Sequence, residues 1–179
     1  MALLATMTVG SLVLVAMETP PIRPEVPRLA ALAPPVDKSA ELVSATQTPL
    51  RRATWQNIVV HSSVEGDEIA SQCHFIVHPS EGPDGQHVQA TALWKQQQAS
   101  RHLAGRLGDS SIGIFLVGRF DAQAPSSKQF DALVGLSRNL QRACAIGGSN
   151  IYLARELDPR CGSPGKAFPL RQFNSMLLQ

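Results

Sequence analysis

Apolar positions fall into runs of two different periods along this chain. Residues 57–62 (NIVVHS) and 73–78 (CHFIVH) are short and β-branched, and residues 112–118 (IGIFLVG) are almost continuously apolar, as in a strand buried on both faces. Three strands are expected there. A helical period follows: Phe130, Leu133, Val134, Leu136 and Leu140 recur after Ser126 and Gln129, which are spaced as a capping box, and before Gly147 and Gly148. That spacing predicts one long helix. Ile151, Tyr152 and Leu153 read as a further short strand and residues 169–178 as a closing helix, with Pro83-Asp84-Gly85 as a turn between Val77 and Val88. Alternation of strands and helices over about 125 residues predicts an α/β fold with one central sheet.

The N-terminal part has neither period. Residues 2–17 (ALLATMTVGSLVLVAM) carry no charge before Glu18. As a helix this stretch is roughly 24 Å long against a hydrocarbon layer of roughly 30 Å. It reads as the apolar core of an export signal, as an uncleaved membrane anchor through residues 1–17, or as an over-long start; the first two imply an extracytoplasmic domain. Residues 18–53 hold seven of the thirteen prolines: Pro20, Pro21, Pro24, Pro27, Pro34, Pro35 and Pro49. Proline fixes φ and has no backbone donor, so an extended tether is expected. The resulting division is an apolar segment at 1–17, a linker at 18–53 and a folded domain at 54–179.

With 179 residues, 44% of them apolar and 17% charged, the chain suits one domain plus an appendage. Its net charge of +2 is spread rather than clustered, which argues against a nucleic-acid partner. The three cysteines, Cys73, Cys144 and Cys161, form no CxxC pair. No serine sits in a GxSxG elbow, and Gly147-Gly148 lacks the lysine and spacing of a phosphate loop.

Several segments in order are more specific. They are Trp55-Gln-Asn-Ile-Val-Val-His61-Ser, Cys73-His74-Phe-Ile-Val, Pro83-Asp-Gly85 and Leu93-Trp94-Lys-Gln-Gln97 leading to His102. Ser111-Ile-Gly-Ile-Phe-Leu-Val-Gly118 with Phe120-Asp121 follows, then the capped helix, residues 151–157, and Pro164-Gly165-Lys-Ala-Phe168-Pro169. Together, over residues 54–173, they resemble the zinc-dependent N-acetylmuramoyl-L-alanine amidase domain shared with the peptidoglycan-recognition proteins. The resemblance implies a single mixed sheet flanked by helices and a groove for peptidoglycan or a muropeptide. In active members it implies a zinc held by two histidines and a cysteine. Such a metal lowers the pKa of bound water to about 7 and polarises the scissile carbonyl.

Matched residue by residue, His61 stands at the first ligand position. The second falls on Ala154, in Ile151-Tyr-Leu-Ala154-Arg155-Glu156, and the third on Ser163, before Pro164-Gly165. The tyrosine that the family uses as an oxyanion donor is replaced by Cys73, and the helix after His61 is shortened to something like residues 64–72. Two thiolates and one imidazole are an accepted zinc set, so His61, Cys73 and Cys161 form a candidate rearranged metal site. A Cys73–Cys161 disulfide, or cysteines that are merely packed, account for the same proximity.

For substrate contact the resemblance nominates His102 along the groove, Trp94 as groove wall or core anchor, and Arg155 with Lys166 facing stem-peptide carboxylates. His74 reads as a satisfied core histidine. At i and i+4 of one strand, His74 and His78 stand about 13 Å apart and cannot share a metal. His87, beside a turn, is expected to be solvated. The functional reading is a peptidoglycan-binding amidase-fold domain whose metal centre has decayed, with no catalytic residue assigned. The alternatives are a working zinc amidase with the rearranged ligands, and a structural or protein-interaction module.

Overall fold

The computed structural model describes residues 38–63, 68–100 and 107–179, all within the unit Asp37–Gln179. The apolar segment at 1–17 lies outside them. Five strands form one mixed sheet in the order β3-β2-β4-β1-β5: β1 is Asn57–Ser63, β2 Phe75–Val77, β3 Val88–Ala90, β4 Ser111–Val117 and β5 Ile151–Leu153. Strand β1 pairs in parallel with both β4 and β5, β2 pairs in parallel with β4, and only the β2–β3 hairpin is antiparallel. This is the one central sheet that the sequence pattern predicts, mixed and flanked by helices as the resemblance implies.

Strand alternation gives the sheet two different faces. Ile58 and Val60 of β1 join Ile112, Ile114 and Leu116 of β4 in the main core, with Phe130, Leu133, Leu136 and Leu140 of the long helix. Each such side chain contributes roughly 1.5 to 3 kcal/mol when fully buried. Val59 and His61 point to the opposite face, as do Phe115 and Val117 of β4. Strand β4 is buried at all seven positions, as its apolar run requires.

Among the described residues the long helix, here α4 (Ser127–Cys144), follows three short helices: α1 (Lys38–Ser44), α2 (Glu68–Ser71) and α3 (Ala92–Lys95). After β5 come α5 (Ala154–Leu157) and α6 (Leu170–Met176). Ser126 caps α4 by accepting the Gln129 N–H at 3.2 Å. The Gln129 amide does not return to the cap, as a capping box would have it. It donates to the carbonyls of Val77 (3.2 Å) and Val117 (2.8 Å), buried acceptors at the ends of β2 and β4. The helix also stops before the two glycines, with Ala145 in the left-handed region at φ 57°.

Helix α1 corrects the reading of residues 18–53 as a continuous tether. Its Val43 is buried in the main core, and Leu42 and Leu50 pack against that core. Prolines crowd residues 20–35 and return only at Pro49, which leaves a proline-free window in which KSAELVS can wind. The packed part therefore includes residues 38–53.

A buried polar network ties this N-terminal piece to the sheet. Gln97 accepts the Trp55 indole N–H (2.9 Å) and the Arg51 amide (3.2 Å) and donates to the Trp94 carbonyl (2.7 Å), while the Trp94 indole donates to Val43 O (3.2 Å). His74 completes it. Its ring is fully buried, edge-on to Trp55 and Trp94. Nδ1 accepts the Gly113 N–H at 2.9 Å, so the proton sits on Nε2, which donates to Gln98 O at 2.8 Å. His74 lies just before β2, and its ring and that of Phe75 both meet the Trp94 indole.

Burial pushes the His74 pKa down from 6.5 to about 4, against a smaller upward pull from the Gln98 carbonyl. The folded state therefore requires the neutral ring. Above pH 6.5 its contribution is fully present; as pH falls from 6.5 towards 4 the unfolded chain takes a proton that the folded chain refuses. Stability should drop by about 3 kcal/mol across that window. Urea midpoints at pH 7 and pH 4.5 should differ accordingly, and His74→Gln should be less stable at pH 7 with a flatter pH profile. Equal slopes in the two proteins would remove His74 as the cause.

Candidate functional site

The carboxyl ends of β1, β4 and β5 lie along one edge of the sheet because all three run in the same direction. Ligands of open α/β sheets gather at such an edge. His61, near the end of β1, is buried and stacks on its register partner Phe115, with ring centroids 6.4 Å apart and planes at 9°. Cys161 comes over it, with Sγ 3.3 Å from His61 Nε2. This thiol is exposed and stands on a short turn. Its amide donates to Asp158 O (2.9 Å), the Asp158 carboxylate accepts the Arg160 amide (3.1 Å), and Gly162 follows in the left-handed region at φ +65°.

Ser163 has a different task from the one the resemblance assigns to its position. Its hydroxyl oxygen accepts the Ser62 N–H at 2.6 Å, and the hydroxyl donates to the Ser62 carbonyl at 3.0 Å. One side chain thus clasps both backbone polar groups of the residue after His61. Ala154 directly follows the Val60–Leu153 register pair, level with His61, and packs on Val59. The loop behind is held closely. A Cβ on Gly165 would collide with the backbone of Phe120 and Asp121, so only glycine fits there. Arg155 braces it, its guanidinium donating to the carbonyls of Pro164 (2.7 Å) and Gly165 (2.8 Å).

Of the sequence-nominated site residues, the structure brings His61 and Cys161 together. Cys73 packs in an apolar cluster with Phe115 and Val117. None of the three cysteines is in a disulfide, so the Cys73–Cys161 bridge does not form. Trp94 is core anchor, not groove wall: it is completely buried and has no ring face open to a sugar. Arg155 directs its Nη1 to two backbone carbonyls, those of Pro164 and Gly165. His102, and residues 64–67 of the shortened helix, lie outside the described residues. His87 is part-buried, its Nδ1 donating to His78 O at 3.0 Å, where sequence alone suggests solvation. Sequence reasoning missed the Ser62–Ser163 clasp and the Phe115 platform. The parity of Phe115 with His61 becomes a signal only once the β1–β4 register is known.

Zinc chemistry in this fold needs three protein donors and an open position. Here the His61 Nε2 to Cys161 Sγ separation is near the roughly 3.5 Å expected between two ligands of a tetrahedral ion. Ala154 supplies no donor, and the Ser163 hydroxyl is engaged with Ser62. Among the described residues no three His, Cys, Asp or Glu side chains converge as a metal-binding group. This donor set does not fit the three-ligand zinc centre.

A sequence profile described as N-acetylmuramoyl-L-alanine amidase matches residues 39–161. Among solved structures, the amidase AmiD from E. coli, in complex with the substrate anhydro-N-acetylmuramic acid-L-Ala-D-gamma-Glu-L-Lys, aligns with TM-score 0.58 and 20% identity, over 73% of this chain and 60% of that one. The amidase LysC from Clostridium intestinale URNW aligns with TM-score 0.55 and 19% identity, over 72% and 89%. A selenomethionine derivative of AmpD gives 0.53 and 21%, over 69% and 85%. At these identities the likeness establishes the fold. No curated protein matches the chain significantly.

Two measurements probe the site. Ser163→Ala leaves the buried Ser62 amide without its acceptor and should cost about 1 to 3 kcal/mol, read as a lowered urea midpoint. An unchanged midpoint would show that the clasp holds nothing. Thiol titration of the native protein with a disulfide reagent should find one fast group, Cys161. Cys73 and Cys144 are buried, and burial pushes the Cys144 thiol up to about 11 despite the opposing charge of Arg52. A second fast thiol would contradict this packing.

Proposed function

The chain belongs to the N-acetylmuramoyl-L-alanine amidase family, and from that premise we propose that it binds peptidoglycan or a muropeptide at the carboxyl edge of its sheet without zinc-dependent cleavage of the lactyl-L-alanine amide. The observation that carries this reading is the replacement of donors inside an intact fold. Alanine stands level with His61, and the serine hydroxyl at the third position is bonded to Ser62. Removing two of three ligands leaves one imidazole, and with the neighbouring Cys161 thiol the donors number two, too few to fix a hydrated divalent ion in a catalytic geometry. The muropeptide as ligand class rests on the family and on the AmiD complex, whose bound molecule is an anhydromuramyl peptide. The same reading puts the domain outside the cytoplasm, with residues 1–17 as export signal or anchor.

One observation favours a second reading, a zinc amidase with rearranged ligands: the 3.3 Å approach of Cys161 to His61. The position of Cys73 among Phe115 and Val117 speaks against it, because a thiolate there would be desolvated by apolar neighbours.

Co-sedimentation with insoluble peptidoglycan at low salt separates the readings. The expected outcome is retention of the protein in the pellet, no release of stem peptide after zinc is added, and less than one zinc per chain after dialysis. Stoichiometric zinc that disappears in His61→Ala, together with peptide release, would restore the hydrolase. Protein that stays in the supernatant would leave a structural or protein-interaction module.

A further inference from the structure

We propose that Cys161 and His61 form a nucleophile–base pair that accepts acyl groups from carboxylic esters and thioesters. An activated thiol nucleophile needs an accessible sulfur, a neighbouring base within hydrogen-bond reach, and a support that fixes the base. All three are present. Cys161 is exposed and has Nε2 of His61 3.3 Å from its sulfur. The imidazole is buried, with its plane parallel to the Phe115 ring and the two centroids 6.4 Å apart. The sulfur is also held, on the Asp158–Cys161 turn before Gly162. Cys73 and Cys144 lack this combination, since both are buried.

In the proposed step the sulfur attacks the acyl carbon while its proton passes to His61 Nε2. The carbon–oxygen bond of an ester, or the carbon–sulfur bond of a thioester, then breaks and the leaving group departs with the electron pair. His61 returns the proton to the leaving group or to solvent. The product is a thioester on Cys161, and attack by water releases the carboxylic acid and restores the thiol. No metal enters the step, and it is independent of whether a muropeptide occupies the sheet edge.

The test uses the full chain, p-nitrophenyl acetate as acyl donor and excess chelator. One equivalent of nitrophenolate should appear in a burst, and peptide mass mapping should place the acetyl group on Cys161. The burst rate should exceed that of glutathione at the same pH by on the order of a hundredfold. Cys161→Ser should abolish the burst, and His61→Gln should bring the rate down to that of glutathione. Acetylation of native Cys161 no faster than glutathione overturns the proposal. So does an unchanged rate in His61→Gln, and so does loss of the burst in chelator. If His61→Gln fails to fold, comparing the native wild type with the same protein in urea decides. A rate that unfolding does not reduce overturns the pair.

Discussion

The position of β1 between two parallel neighbours is the constraint from which the rest of this structure follows. Parallel pairing with β4 and β5 aligns three carboxyl ends, and burial of both faces fixes the register, since a one-residue slip would carry His61 into the main core and Val60 out of it. His61 is therefore placed by the aliphatic residues around it. Ile58 and Val60 anchor one face, and Phe115 receives the imidazole on the other.

Much of this was legible in the sequence because strand and helix periods are local signals. The runs at 57–62 and 112–118 became β1 and β4 within a residue, and the Phe130 to Leu140 spacing became the buried stripe of α4. Two misreadings have different causes. Proline counts over 18–53 averaged across a window that contains none, which hid the helix at Lys38–Ser44. Gln129 matched a capping pattern, yet two buried strand carbonyls had the stronger need for its amide. The first was readable at finer grain; the second was decided by distant acceptors that no single sequence displays.

The site shows the same division. That His61 sits at the end of a strand could be read directly. What surrounds it could not, because Trp94, Arg155 and Ser163 are ambiguous by type. An indole serves a core or a sugar, a guanidinium serves a carbonyl or a carboxylate, and a hydroxyl serves a backbone or a ligand. Packing resolved each towards structure: Trp94 is enclosed, Arg155 braces the loop, and Ser163 holds Ser62. Among the described residues, Cys161 keeps an exposed side chain beside the His61 imidazole.

The Ser62–Ser163 contact also bears on what position 163 can hold. A thiol is a weak donor and acceptor, so installing cysteine at 163 would weaken the clasp on the strand end. A thiol ligand at this position would therefore carry a structural cost at the strand end that the serine avoids.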